Sequence, residues 1–87
     1  MLRSVEHLLE NHSDKTIGNH MSVHLNTSNI VKYFYFSTAI CVVNHNKRQY
    51  YTDNGGWNTS STNRAIHSYK QNFDNLGYEK VSKNQDW

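Results

Sequence analysis

Between residues 30 and 57 the chain gathers two of its three phenylalanines, four of its six tyrosines and one of its two tryptophans, set among Ile, Val and Thr. Aromatic and β-branched side chains favour strands. Along Ile30 to Phe36 the alternation sets Ile30, Lys32, Phe34 and Phe36 on one side and Val31, Tyr33 and Tyr35 on the other. Both sides are largely apolar, whereas a strand needs one apolar face to sit on a core. One set is expected under a helix, and the other needs a cover of its own. Three covers are open: the N-terminal helix of the same chain, a second copy in a homodimer, or a foreign protein or single-stranded nucleic acid.

The rest of the pattern predicts an α+β domain, an antiparallel meander of about four strands with a C-terminal helix packed on one face and a short N-terminal helix. Leu2, Val5, Leu8 and Leu9 recur at helical spacing over residues 2–12. Met21, Val23 and Leu25 alternate with polar residues as in a half-buried strand, and the cluster 26–29 is turn chemistry. Strands follow over 30–38, 39–44 and 47–52, with residues 37–38 open between a turn, a bulge and a continuous bent strand. The run Asp53-Asn54-Gly55-Gly56 is a loop, because Gly and Asn tolerate positive φ. Thr59 to Thr62 offers helix caps. Ala65, Ile66, Tyr69, Phe73 and Leu76 form one stripe that ends at Gly77, a suitable C′ residue. Residues 78–81 add a short strand or a packed tail, and 82–87 are expected as a frayed tail. The 87 residues make a single domain, 1–87, whose small core favours oligomerisation or a tight partner.

No reaction is legible. Cys41 is the sole cysteine and lies among Ile40, Val42 and Val43, with Ala39 and Val43 as alternation partners. An apolar setting raises a thiol pKa and suppresses reactivity. His20 and His24 share a strand face, but a metal usually needs three or four convergent ligands. The seven acidic residues are dispersed. The Gly55-Gly56 loop lacks the Gly-Lys-Ser/Thr ending of a phosphate loop. No catalytic residue, metal site or cofactor is expected, and the chain reads as a non-enzyme. With no leader, no apolar run of membrane length and an unpaired cysteine, it is expected to be cytoplasmic with no membrane partner.

The binding candidates are Tyr33, Tyr35, Tyr50, Tyr51 and Trp57 as contact anchors, with Lys47, Arg48 and Arg64 as steering charges. Lys47 and Arg48 with Arg64 and Lys70 would form a small basic patch beside the tyrosines. That combination also suits a stacking platform for single-stranded nucleic acid, although a net charge of +2 is mild for such a binder.

The segment Tyr35 to Ile40, followed by a tyrosine-rich strand, Trp57 and the Ser/Thr run 59–62, resembles small accessory domains of tailed bacteriophages. In these an aromatic-Ser-x-x-Thr/Ala-Ile strand precedes a Trp-x-x-Thr/Ser-Ser/Thr helix start. The likeness covers roughly residues 32–73, and the N-terminal helix and strand fall outside it. It implies a phage-encoded protein that binds and inhibits a host protein in the infected bacterial cytoplasm. Host takeover or counter-defence against restriction, BREX or CRISPR systems is the implied role, and a homodimer is the expected state.

Overall fold

The computed structural model describes residues 2–25 and 29–87. The turn expected over 26–29 therefore lies mostly outside the described residues. The order is α1 (Arg3–Glu10), β1 (Lys15–Ile17), β2 (His20–Leu25), β3 (Ile30–Tyr35), β4 (Thr38–Asn44), β5 (Gln49–Thr52), α2 (Ser60–Asn75) and β6 (Glu79–Lys80). The fold is α+β with a six-stranded sheet in sequential order, antiparallel except for the β5–β6 pair. Two strands exceed the expected four. Lys15-Thr16-Ile17 is too short to show a period, yet Gly18 at φ +60° folds it back as a hairpin on β2. Glu79–Lys80 is set beside β5 by the preceding helix.

The region left open at 37–38 is a turn at 36–37, and a bulge follows at Ile40. Phe36 and Ser37 form the two-residue connection between β3 and β4. The register then slips, so that Tyr33 opposes Cys41 while Phe34 opposes Ala39. Ile40 is the inserted residue, and a bulge lets two successive side chains lean to one side. Both Ile40 and Cys41 are buried in the core in consequence. Ala39, expected beside Cys41, turns instead to the opposite face with Phe34. The Ile40 carbonyl accepts the Asp53 N–H at 3.0 Å, which anchors the end of β5 to the bulge.

Both helices pack on the same face. Val5 and Leu8 of α1 and Ala65, Tyr69 and Phe73 of α2 share one core with Val31, Tyr33, Cys41, Val43 and Tyr50. The N-terminal helix is thus not the cover of the second face, which removes the first of the three covers left open. An eight-residue helix is marginal alone, and it is held by this burial and by the Leu2 N–H donating to Ser68 Oγ at 3.2 Å. The opposite face carries Met21, Val23 and Leu25 of β2, Ile30, Lys32 and Phe34 of β3, Ala39, Val42 and Asn44 of β4, and Gln49 and Tyr51 of β5, as alternation and register require. No helix lies on it. Residues 82–87 reach the sheet: Lys83 pairs with Asp53 at 3.0 Å, and the Trp87 ring lies 5.6 Å from that of Tyr51. No helix among the described residues is long and apolar enough to cross a membrane.

α2 is closed at both ends by sequence-encoded devices. Thr59 accepts the Thr62 N–H, the usual N-cap bond. At the other end Gly77 has φ +81°, with Gly77 N–H bonded to the Asp74 carbonyl and Tyr78 N–H to that of Phe73. This is the Schellman arrangement. Arg48 adds a bond to the Leu76 carbonyl at 2.7 Å and stands over the Tyr78 ring.

Gly55 holds the β5–α2 loop against the β3–β4 hairpin: φ is +60°, and a Cβ would lie 2.6 Å from Thr38 Cγ2. Gly56, at φ +86°, faces open space. Gly55→Ala is expected to cost about 2–3 kcal/mol and Gly56→Ala about 1, since only the first adds a clash to backbone strain. Thr38→Ser should return part of the Gly55→Ala loss by removing Cγ2. Urea denaturation of Gly55→Ala, Gly56→Ala and the Thr38→Ser/Gly55→Ala double variant checks this, and equal costs at both glycines would contradict it.

Candidate functional site

The β3–β4 turn and the β5–α2 loop meet at one end of the sheet and enclose an apolar pocket of about 400 Å³. Its walls are Tyr35, Phe36, Ser37, Thr38, Ile40, Trp57 and Thr62. Phe36 is 63% exposed and Trp57 62%, the two most exposed large apolar side chains among the described residues. Neither is held there by burial. Phe36 sits at φ +55°, which is uncommon for a bulky residue and costs of order 1 kcal/mol or more. Its N–H donates to the Asn19 carbonyl at 2.8 Å, and its ring meets Tyr35 edge-on at 4.7 Å. Trp57 is aimed by a loop that folds on itself. Asp53 Oδ1 accepts the Gly55 N–H, Asn54 Oδ1 accepts the Gly56 N–H, and the Asn54 carbonyl accepts the Trp57 N–H. The Gly55 amide, and then Lys83, hold the Asp53 carboxyl below its ordinary range.

No wall residue is charged or nucleophilic in its setting. The pocket can desolvate an apolar or aromatic group, flanked by the hydroxyls of Ser37, Thr38 and Thr62. Its walls are drawn from residues 35–40, Trp57 and Thr62 at the start of α2. Residues some twenty positions apart in the chain thus become neighbours.

The individual candidates separate sharply. Tyr33 is 3% exposed and Tyr50 fully buried, both under α2, so neither is available as a surface anchor. They belong to the strand face that the helices claim, where Tyr33 packs on Tyr69 at 4.6 Å and Tyr50 on Phe73 at 5.7 Å. The Tyr50 hydroxyl donates to Asp74, and burial with that carboxylate pushes its pKa up. Tyr35 is half-buried, stacked on His20 and part of the pocket wall. Tyr51 is half-buried on the opposite face against Trp87. Only Tyr35 and Trp57 of the five meet at one place.

The charges do not form one patch. Lys47 and Arg48 occupy the β4–β5 turn near the C-terminal end of α2, and Arg48 is committed to the Leu76 carbonyl. Arg64 is exposed in the second turn of α2, about 18 Å along the helix from Leu76 at 1.5 Å per residue. Lys70 pairs with Asp74 at 2.6 Å. Sequence reasoning missed Phe36 as an exposed contact, because the aromatic run reads as a strand continuing through it. The break was hidden by the absence of a glycine or asparagine at the turn.

Cys41 is fully buried, and desolvation raises its thiol pKa. His20 and His24 do share a face, but among the described residues no three His, Cys, Asp or Glu side chains are placed to hold a metal. His45 shares a hydrogen bond between Nδ1 and the Tyr78 hydroxyl at 2.8 Å. Burial lowers the pKa of His20, and burial followed by the charge of His24 lowers that of His45.

Two outcomes follow from this geometry. Phe36→Asn should raise stability by about 1 kcal/mol, because Asn tolerates the left-handed region and little burial is lost. A loss of that size in urea denaturation would show that the ring supports the fold. The second outcome concerns pH. His20 and His45 bind a proton less readily in the fold than in the unfolded chain, whose value is near 6.5. As pH falls from 6.5 toward the lower folded values, the unfolded chain gains protons first and stability declines; above 6.5 the difference vanishes. The urea midpoint should drop between about pH 7.5 and about pH 5.5, and the combined His20→Gln and His45→Gln changes should flatten the drop. An unchanged pH slope would contradict this.

Comparison with known proteins finds no matching family model, no matching curated protein and no matching solved structure.

Proposed function

We propose that the chain is a non-enzymatic interaction protein that seats an apolar side chain of a protein partner in the Phe36–Trp57 pocket and acts by occluding that partner's own contacts. The supporting observation is the pairing of two aromatic rings, each more than 60% exposed, around a pocket without charge. Exposed aromatics clustered at a concave site are the usual composition of a binding hot spot. A strained backbone at Phe36 adds to this, since such strain is retained where surroundings or use demand it. That the partner is a host protein, and the role host takeover or counter-defence, follows from the bacteriophage likeness of residues 35–40, 57 and 59–62.

The nucleic-acid alternative has lost part of its footing. With Tyr33 and Tyr50 in the core and the cations divided between two ends of α2, few stacking rings lie beside a positive charge. Retention on single-stranded DNA at about 50 mM salt, where phosphate contacts are strong, would restore that alternative.

The test uses two affinity columns, one carrying the native chain and one the Phe36→Asn/Trp57→Ala variant, loaded with bacterial lysate. A protein held by the first and lost from the second, with affinity reduced by roughly tenfold or more once purified, is the expected result. Identical retention on both columns would remove the pocket from the function.

A further inference from the structure

The sheet face that no helix covers is a second surface, separate from the pocket; Ile30, Val42 and Asn44 are buried in its floor, and Met21, Val23, Lys32, Phe34 and Tyr51 are half-buried around them. Its central row runs Val23, Lys32, Val42 and Tyr51 across β2 to β5, and the next row runs Met21, Phe34 and Ala39. Among the described residues, Lys32 is the one charged side chain this face carries on those four strands. It makes no hydrogen bond or ion pair there with another described residue. Its register neighbours are Val23 and Val42.

An unpaired ammonium at the middle of an apolar sheet face has two consequences. Two copies pairing face to face about a central axis would bring Lys32 against Lys32, and like charges so juxtaposed oppose association. A partner presenting a carboxylate between apolar groups would instead meet both the charge and the surface around it. At its β5 side the face already carries one aromatic ring of the chain itself, that of Trp87, 5.6 Å from the ring of Tyr51. β2 and β3 are left for a visitor.

We propose that this face is a docking surface for an acidic, apolar peptide segment of another protein. The segment's Asp or Glu meets Lys32, and its flanking aliphatic or aromatic side chains cover Met21, Val23 and Phe34. The occupant is a foreign chain rather than a second copy, and Lys32 is the residue that separates the two. This reading does not depend on the Phe36–Trp57 pocket.

The experiment selects a randomised peptide library of about 12 residues, long enough to cross the sheet, against the purified native chain. Expected are binders with an Asp or Glu set among apolar residues. Lys32→Glu should weaken them by roughly a hundredfold and Lys32→Gln by roughly tenfold, with Phe36→Asn and Trp57→Ala without effect. Phe34→Ser should weaken the same peptides. Light scattering adds an independent measurement: the native chain stays monomeric, and Lys32→Met shifts it toward dimers. The inference is overturned if no selected peptide depends on Lys32, or if the acidic residue of the peptides can be replaced without loss. It is equally overturned if the native chain is a dimer that Lys32→Glu dissociates, which would give the face to a second copy. Lys32-dependent binding to phosphatidylglycerol vesicles or to oligo-dT, in place of peptides, would assign it to lipid or nucleic acid instead. Circular dichroism of each variant keeps unfolding from passing as lost binding.

Discussion

The packing of Tyr69 and Phe73 on Tyr33 and Tyr50 decides nearly everything else about this molecule. Ring centroids at 4.6 Å for Tyr33–Tyr69 and 5.7 Å for Tyr50–Phe73 put the largest side chains of α2 over the centre of the sheet. Because strand side chains alternate, committing Tyr33 and Tyr50 to the helix side commits Lys32, Phe34 and Tyr51 to the other. α1 packs beside α2 on the same side, over β1 and β2. A chain of this size has material for one core, and both helices are spent on it. The second apolar face follows from that allocation and is not an accident of composition.

The bulge at Ile40 does for the sheet's end what the aromatic pair does for its middle. Without the inserted residue, Cys41 and Val43 could not lie with Tyr33 and Val31 while Ala39 lies with Phe34. On the other side of β4 the pairing with β5 runs on unbroken, and the Ile40 carbonyl accepts the Asp53 N–H as its next rung. That bond, together with Gly55 against Thr38, brings the loop carrying Trp57 up to the hairpin carrying Phe36. Local irregularity and site are thus one construction.

Much of this was legible in the sequence, and the failures have physical causes. The periods of residues 2–9 and 65–76 located both helices, and the Thr59 cap and Gly77 stop are local chemistry that needs no tertiary knowledge. Strand existence followed from β-branched and aromatic content. Which strand face the helices would take was not legible, because both faces of β3 are apolar and alternation alone is symmetric between them. That symmetry is why Tyr33 and Tyr50 were expected at the surface. The two edge strands, three and two residues long, are too short to carry a pattern and exist through pairing. Phe36 escaped notice because propensity describes it as a strand residue, while the turn forces it into a conformation that propensity disfavours.

Those short edges have a consequence for how the molecule can be recognised. A sheet edge offers unpaired backbone groups to any extended chain, a contact largely indifferent to side-chain identity. Here one edge is three residues long and begins with Lys15, and the other is two residues long and carries Glu79 and Lys80. Extension of the sheet by a foreign strand has little to hold. Any contact made through side chains on the open face or around the pocket would instead depend on which residue stands at each position. Specificity in such a surface can change by single substitutions, at Lys32 or Trp57 for instance, with the scaffold beneath left as it is.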